Sequence, residues 1–397
     1  MDEQAVFERL DSNADRPDEL LEHFRSRTVA GRDALVLTDT RHGVERGTVA
    51  FPDADVLVRG YPSIPRVLHL DAGIESFFAD AEDDGTVESV VVEEKLDGFN
   101  VRVARVDGDV LAFTRSGFAC PFSTARAREC LDVDAFFDAH PERVLCAELL
   151  GPETPYTTHD YGDVASSTLR VFGVRDRETG APLSVAERRA ICERFGFEQP
   201  RSFGEFPVAT STGDDTGRGA DDERDAATAV ADATEALDAA GREGVVMKTP
   251  DARRAVKYTT EAMHHGALAY AFSLPFDYGR DFVFSRIVRE AFQAHEFDAT
   301  DDRRRERARG LGESILLPMI DAIESVADGG TLGDHHTVRG EPDVVEATLA
   351  HLRDQGLAVD VTRDDRHGAE RVVEFRKRAE ASTDRIAYYL DGGTVDE

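Results

Sequence analysis

A chain of 397 residues is too long for one ordinary core and implies two to four domains. Its apolar content of 41% can build those cores, yet no run of about 18 apolar residues offers a membrane span. The net charge of −32 opposes a broadly basic nucleic-acid surface. At about 1 M salt, however, the Debye length falls to about 3 Å, an acidic surface becomes tolerable, and global charge says little about the ligand.

In chain order, the opening MDEQAVFERLDSNADRPDEL is acidic and mixed, unlike a secretory signal. Residues 1–30 carry helical spacing, with Val6, Phe7 and Leu10 followed by Leu20, Leu21 and Phe24. Short apolar runs from Ala34 to Val58 predict a small β module, so 1–64 reads as an N-terminal module. Between 65 and 260 strand-like stretches dominate: SVVVEEKL, FNVRVARV, DVLAFTRSG, RVLCAELLG and LRVFGVRD, with VDGDV as a hairpin turn. Helices are expected at 124–139 and 184–195. Residues 209–242 break the pattern, first as a polar Gly/Asp/Thr linker and then as an Ala-rich acidic surface helix. They read as an insertion that does no chemistry.

Two broad-faced amphipathic helices, within DFVFSRIVREAFQAHEF and ESILLPMIDAIESVADGG, make 261–330 a helical region suited to core packing or a subunit interface. Residues 331–397 form the last region, read as helix, strand (LAVDVTR), then strand or helix (RVVEFRKR). No internal repeat is visible. Cys120, Cys130, Cys146 and Cys192 lie far apart without a CxxC pair, which argues against a disulfide framework or zinc site and fits a reducing cytoplasm.

Only four of the 47 basic residues are lysine: Lys95, Lys248, Lys257 and Lys377. Lys95 follows VVV and precedes Asp-Gly, the pattern of a strand end presented at a bend that Gly98 permits. A lysine attacks only when neutral, which calls for a pKa depressed by burial or nearby cations; a guanidinium does not deprotonate at usable pH. A lysine kept here therefore marks a place where arginine would fail, the plainer reading being a surface lysine in a turn. EGVVMK (243–248) opens a short strand with an acid and closes it with a lysine. Alternation puts Glu243, Val245 and Met247 on one side, Gly244, Val246 and Lys248 on the other. Lys257 follows an apolar pair in AVKYTT. Lysines converging from strand ends suit a triphosphate, and Glu148 and Glu243 are available to hold Mg2+ or its water shell.

In order, KLDG, TRSG, AELLG, RVFGVRD, EGVVMK and VKYTT resemble the six-part signature of the covalent nucleotidyltransferases, the ATP-dependent ligases and capping enzymes. The resemblance implies an α+β fold: an ATP-grasp-like nucleotidyltransferase domain of antiparallel sheets with helices at 65–260, a small β-rich N-terminal module, and helical C-terminal domains at 261–330 and 331–397. It makes Lys95 the residue that takes AMP covalently. Asn100 stands where one branch of RNA ligases has Asn and DNA ligases usually have Arg. Gly98 belongs to the same nucleotide-binding motif. Arg115 matches the arginine that contacts the nucleotide, Glu148 the carboxylate at the ribose or metal, and Phe172 the aromatic that stacks on adenine. Glu93 or Glu94 would meet the adenine amino group. Glu243 matches the metal-associated acid, and Lys248 and Lys257 the phosphate-binding lysines.

The N-terminal module, KLDGFN, and a helical region straight after VKYTT look like the archaeal ATP-dependent RNA ligases, which are similar in length, form homodimers through the helical region and can circularise RNA. The implied reaction uses ATP and Mg2+ or Mn2+. Lys95 attacks the α-phosphorus, AMP passes to an RNA 5′-phosphate, and a 3′-hydroxyl displaces AMP. The last motif departs from the family's K-x-K pair, with Ala255 in the first place after Arg253 and Arg254.

The Asp-rich, Lys-poor composition resembles proteins of salt-loving archaea. Arg102 either reaches the phosphates or pairs across the sheet with an acid; Asp97 either binds metal or caps the turn. His264–His265 and His335–His336 lack the spaced partners of a metal site. DDRRRERARG (301–310) either touches RNA phosphates or is a solvated helix face. Ser116 and Ser123 have no fitting His–Asp partners. A DNA ligase is the nearest competing reading, opposed by Asn100 and the lack of an evident OB-fold after the core. A nucleotide-binding protein without catalysis is the other, opposed by the retained lysines.

Overall fold

The computed structural model describes residues 2–79, 87–157, 159, 161–208, 224–266 and 276–394. The polar linker read at the start of 209–242 falls mostly outside these described residues. Four antiparallel sheets organise the rest. Two short helices, α1 (Glu3–Arg9) and α2 (Pro17–Leu21), precede the N-terminal sheet, in which β1 (Phe24–Val29), β2 (Arg32–Leu37), β3 (Val49–Phe51) and β4 (Val56–Val58) lie side by side in that order. The helical spacing expected through Phe24 therefore stops at Leu21. Phe24 opens a strand instead, yet it joins the same apolar cluster as Val6, Leu10 and Leu20, so the pattern reported burial rather than helix.

After α3 (Leu70–Ala79) come the two central sheets. β5 (Ser89–Lys95) belongs to one; β6 (Phe99–Val106) and β7 (Asp109–Thr114) to the other. The β6–β7 turn has positive φ at both Asp107 (49°) and Gly108 (84°), as a two-residue type I′ hairpin requires. The single helix expected at 124–139 is two, α4 (Pro121–Cys130) and α5 (Val133–Ala139). Leu131 is extended and the Asp132 carboxylate caps the new start. β8 (Arg143–Leu150) and β9 (Thr168–Asp176) complete the order β7-β6-β8-β9. α6 (Val185–Phe195) starts on a Ser184–Glu187 capping box and ends at Gly196 in left-handed conformation. β10 (Ser202–Pro207), α7 (Ala226–Ala239), β11 (Gly244–Lys248) and β12 (Ala255–Thr259) finish the other sheet, ordered β10-β5-β11-β12.

Period-two alternation gives each central sheet a core face and a cleft face. Val101, Val103, Leu145, Ala147, Leu149 and Val171 bury against α4 and α5, leaving Asn100, Arg102, Glu148 and Phe172 on the opposite side. In the partner sheet Val90, Val92, Val245, Met247, Val256 and Tyr258 bury under α3 and α7. Glu93, Lys95, Val246, Lys248 and Lys257 are left facing the cleft.

α7 corrects the reading of a surface helix within 209–242. Ala226, Val230, Ala233 and Leu237 recur at helical spacing and are buried against the β5-β11-β12 sheet. The alanines that made the segment look like a solvated helix are what let it lie close to the sheet.

Beyond the central sheets come α8 (Glu261–Gly266), α9 (Phe276–Glu296) and α10 (Asp301–Ala327). β13 (Gly333–Gly340), α11 (Pro342–Asp354), β14 (Val359–His367), β15 (Glu370–Arg378) and α12 (Glu380–Leu390) follow. RVVEFRKR is strand β15, central in the sheet β13-β15-β14. β13 and α12 carried no sequence signal of their own. GDHHTVRG has a single large apolar residue, Val338, and it buries into the core shared by α11 and the β7-β6-β8-β9 sheet.

Candidate active site

Lys95 ends β5, and the β5–β11 register sets Gly244 opposite it. Its Nζ lies 2.6 Å from Oε2 of Glu243. Simple alternation would have sent Glu243 away, with Val245 and Met247. Gly244 breaks the alternation at φ +142°, where an added Cβ would collide with the Tyr258 carbonyl oxygen. The glycine thus turns the acid toward the lysine. Burial alone would depress the Lys95 ammonium, but Glu243 and Glu148 together outweigh it and hold the group above its ordinary value. The depressed lysine expected from the sequence is therefore a raised one, charged and held against an acid.

The back of the cleft is a buried ion cluster. Glu93, 1% exposed, accepts from Lys248 Nζ at 2.9 Å, from Arg188, and from Arg189 at 3.4 Å. Burial pushes the Glu93 carboxyl up, but Lys248 and Arg188 override it and hold it below its ordinary value. Lys248 also donates to the Phe172 carbonyl at 3.0 Å, and burial depresses its ammonium. Glu94 points the other way, toward Arg242 at 3.9 Å across the sheet, and burial raises its carboxyl. Of the two acids offered for adenine, Glu93 shares Lys95's parity on β5, while Glu94, which also lines the cleft, turns its carboxylate toward Arg242.

The β6-β8-β9 face supplies the other wall. Gly98 packs so tightly on β8 that an added Cβ would strike the Leu149 carbonyl, so the KLDG bend needs glycine at this point. Asn100 and Glu148 are cross-strand partners, and Asn100 Oδ1 is buried without a hydrogen-bond partner, an acceptor left for a bound hydroxyl. Burial pushes the Glu148 carboxyl up to about 8, against the pull of Lys95 and with Glu243 and Asp97 adding to the rise. Phe172 is held edge-on by Tyr61, ring centroids 5.3 Å apart. Arg115 donates to Ser63 Oγ at 2.8 Å. Asp97 sits 3.5 Å from His159, its backbone N–H donates to the Tyr161 hydroxyl, and its carboxyl lies in the field of Glu243 and Lys95.

Arg102 is neither at the phosphates nor paired with an acid. It is buried and donates to three backbone carbonyls, Arg59 at 2.5 Å, Gly47 at 2.8 Å and Thr114 at 3.0 Å. It therefore ties the N-terminal module to the catalytic sheet. Arg254, beside the departed lysine position, is likewise spent on the Phe77 and Phe78 carbonyls of α3. The cation next to Lys257 is Arg66, whose backbone forms a parallel bridge with Lys257 and whose guanidinium donates to Thr259. No linear motif marked Arg66.

The histidine pairs resolve as structure. His264 links Thr259 (3.1 Å) to Glu290 (2.8 Å), and buried His336 stacks on Phe375. Glu261, His265 and Glu290 do approach one another among the described residues, but Arg307 already occupies both carboxylates. Three more arginines of 301–310 sit on acids: Arg303 on Glu261 and Glu306, Arg304 on Asp301, Arg305 on Asp302.

The comparisons with known proteins agree with this geometry. The family model described as RNA ligase matches residues 88–259, and that described as the ligase Pab1020 C-terminal region matches 270–393. The solved structure of an archaeal ATP-dependent RNA ligase is 36% identical, covers 100% of both chains and superposes with TM-scores of 0.86 and 0.87 in its two forms. The chain belongs to the archaeal ATP-dependent RNA ligase family. This ligase is also 34% identical over 361 residues to a Methanocaldococcus jannaschii protein described as "Uncharacterized protein MJ0414", covering 88% of this chain and 85% of that one. A protein from Aquifex aeolicus named a putative ATP-dependent DNA ligase shares the fold, with a TM-score of 0.79 at 24% identity over 94% of this chain and 97% of that one.

The donor set of the RNA ligase fits a hard divalent cation. Glu148, Glu243 and Asp97 offer carboxylate oxygens around one lysine; burial raises the proton affinity of Glu148 and Asp97, Glu243 adds to both, and a bound cation would relieve that strain. They do not close into a cage, as suits a Mg2+-type ion held by one or two carboxylates together with substrate phosphates.

Proposed function

We propose that this RNA ligase joins 5′-phosphate and 3′-hydroxyl RNA ends through a covalent Lys95–AMP adduct, working as a homodimer able to close RNA into circles. The observation that carries the reading is the Lys95–Glu243 pair at 2.6 Å, set at the mouth of a cleft whose walls present Glu93, Asn100, Glu148, Phe172, Lys248 and Lys257. Glu243 stands where it can accept the Lys95 proton. The freed amine then attacks the α-phosphorus of ATP; the new N–P bond forms as the bond to the pyrophosphate oxygen breaks. Phe172 would stack on the adenine, Glu93 would accept from its amino group, and Arg115, Lys248 and Lys257 would steady the phosphates. A divalent cation, when bound, supplies charge at the phosphoryl oxygens, with Glu148 and Glu243 as its holders. In the second step an RNA 5′-phosphate oxygen displaces Lys95 from the adenylate. In the third a 3′-hydroxyl attacks the RNA 5′-phosphorus, and AMP leaves as the bond from that phosphorus to the AMP oxygen breaks.

Four unpaired cysteines, three of them buried, suit the reducing cytoplasm we assign to the enzyme, and no described helix is long and apolar enough to cross a membrane. The acidic composition fits work in concentrated salt.

Incubation with α-labelled ATP and Mg2+ in high salt should label the wild-type chain. Neither Lys95→Ala nor Lys95→Arg should take label, since arginine keeps the charge but cannot attack. An unlabelled wild type overturns the reading. Offering the labelled enzyme 5′-phosphorylated RNA or DNA then decides the substrate, and transfer to DNA alone would favour a DNA ligase.

A further inference from the structure

Helix α9 presents Arg286, Arg289, Glu290, Gln293 and Glu296 at spacings of three and four, on one face. The last three anchor that face. Glu290 takes His264 and Arg307, Gln293 donates to the Thr259 carbonyl at 3.1 Å, and Glu296 accepts from Tyr258 at 2.9 Å. These contacts hold α9 against β12, the strand that carries Lys257.

Arg286 and Arg289, one turn earlier, take no part in the anchoring. Arg286 is 7% exposed, lies over the Phe282 ring at 4.5 Å, and among the described residues has a buried Nε with no hydrogen-bond partner and no ion pair. Among the described residues Arg289 has a buried Nη1 without a partner and makes one hydrogen bond, to Ser285 of its own helix at 3.4 Å. Both stand near Arg66, and the group is in electrostatic conflict. Burial and then Arg289 push Arg66 down to about 10, and the same two causes push Arg286 down to about 10. Lys257, pushed down to about 8 by burial, then Lys95 and Arg66, adds a further positive charge. The acids that act on Arg286 are Glu243, already paired with Lys95, and Asp97.

Buried guanidinium donors without partners are costly unless an anion comes to meet them. A planar fork of N–H donors matches phosphate oxygens. We propose that Arg286 and Arg289 of α9, with Arg66 and Lys257, form a phosphate-binding subsite beside Lys95, so that the C-terminal region completes the active site. The subsite rests on the ligase reading for its ligand: either the pyrophosphate end of ATP or the 5′-phosphate of RNA.

The test compares wild type with Arg289→Gln, with Arg286→Gln/Arg289→Gln, and with Arg289→Lys. If the subsite serves pyrophosphate, adduct formation and its reversal by added pyrophosphate fall at least tenfold in the Gln variants. Transfer of AMP from preformed adduct to 5′-phosphorylated RNA then stays within twofold. If it serves the RNA end, the transfer falls and the pyrophosphate steps hold. Arg289→Lys should recover part of whichever step was lost. Both steps within twofold of wild type in the double variant overturn the subsite. A melting comparison reads it without catalysis: inorganic pyrophosphate or a 5′-phosphorylated oligonucleotide should stabilise wild type more than Arg289→Gln. If each ligand stabilises wild type and Arg289→Gln equally, the subsite is also overturned. An unlabelled wild type counts against the ligase reading alone, because the melting comparison stands apart from adduct formation.

Discussion

Lys257 and Lys95 sit in one cleft and respond to charge in opposite senses. Burial and the cations Lys95 and Arg66 push Lys257 down to about 8, whereas Glu243 and Glu148 overcome burial and raise Lys95. A phosphate-holding lysine works while charged, so ATP binding should be tightest below about pH 8 and weaken as pH rises through that value. A nucleophilic lysine works when neutral, so the rate of adduct formation at saturating ATP should climb over the same range. KM for ATP and kcat of adduct formation, measured from pH 6.5 to 9.5, are expected to rise together. In Lys257→Arg the KM should stay flat while kcat still climbs. A flat KM in wild type would remove the phosphate role from Lys257. Lysine scarcity made these residues readable, because a rare residue type in an arginine-rich chain carries information. Arg66, Arg286 and Arg289 stayed hidden for the converse reason. Lys377 has a structural answer of its own: half-buried, it donates to the Pro155 carbonyl and lies 5.3 Å from the Tyr156 ring, which stacks on Phe99 of KLDGFN at 3.9 Å. One carbonyl satisfies an ammonium better than a five-donor guanidinium.

At the level of elements, alternation along β5, β6, β8, β11 and β12 was plain in the residue pattern, and it is what sorts Glu93 from Glu94 and Lys248 from Met247. It failed at Gly244, where a positive φ outside the ordinary strand region redirects Glu243, and period alone cannot announce that. It failed differently at α7. Alanine is the strongest helix former and is common both on surfaces and at close packings, so an Ala-rich stretch reveals a helix without revealing what the helix covers. The packing itself makes a measurable difference. Leu237 is buried among Leu70, Val230 and Val245, in the same cluster that backs the Lys95 sheet. Leu237→Ala is expected to cost about 2–5 kcal/mol in denaturant unfolding, the range for a truncated core leucine. A loss within about 0.5 kcal/mol would restore the surface-helix reading.

Over the whole molecule the net charge of −32 lies outside a cleft that gathers lysines and arginines, so the acidic exterior and the phosphate chemistry coexist by separation. The regions are joined by different means. Arg102 pins the N-terminal module through backbone carbonyls, while Val338, Val345 and Phe375 enter the same core as the β7-β6-β8-β9 sheet. One exposed apolar face stands out among the described residues. α9 and α10 expose Phe284 (65%), Leu316 (60%), Ile287, Phe292, Leu317 and Ile320, a density of large apolar side chains far above scattered surface residues. The broad apolar stripe was legible in the sequence; which part faces inward was not, because the inward contacts of α9 are polar, through Glu290, Gln293 and Glu296. A second copy of the chain is the occupant we assign to this face. Two copies that each carry −32 repel at low salt, and about 1 M salt shortens the range of that repulsion to about 3 Å while leaving the apolar contact in place. Light scattering should therefore give the mass of two chains at high salt, with dissociation growing as salt is lowered. Leu316→Glu/Leu317→Glu should remain a single chain across the series yet still form the Lys95–AMP adduct, since neither leucine borders the cleft. A wild type that stays monomeric at every salt concentration would take this face out of self-association.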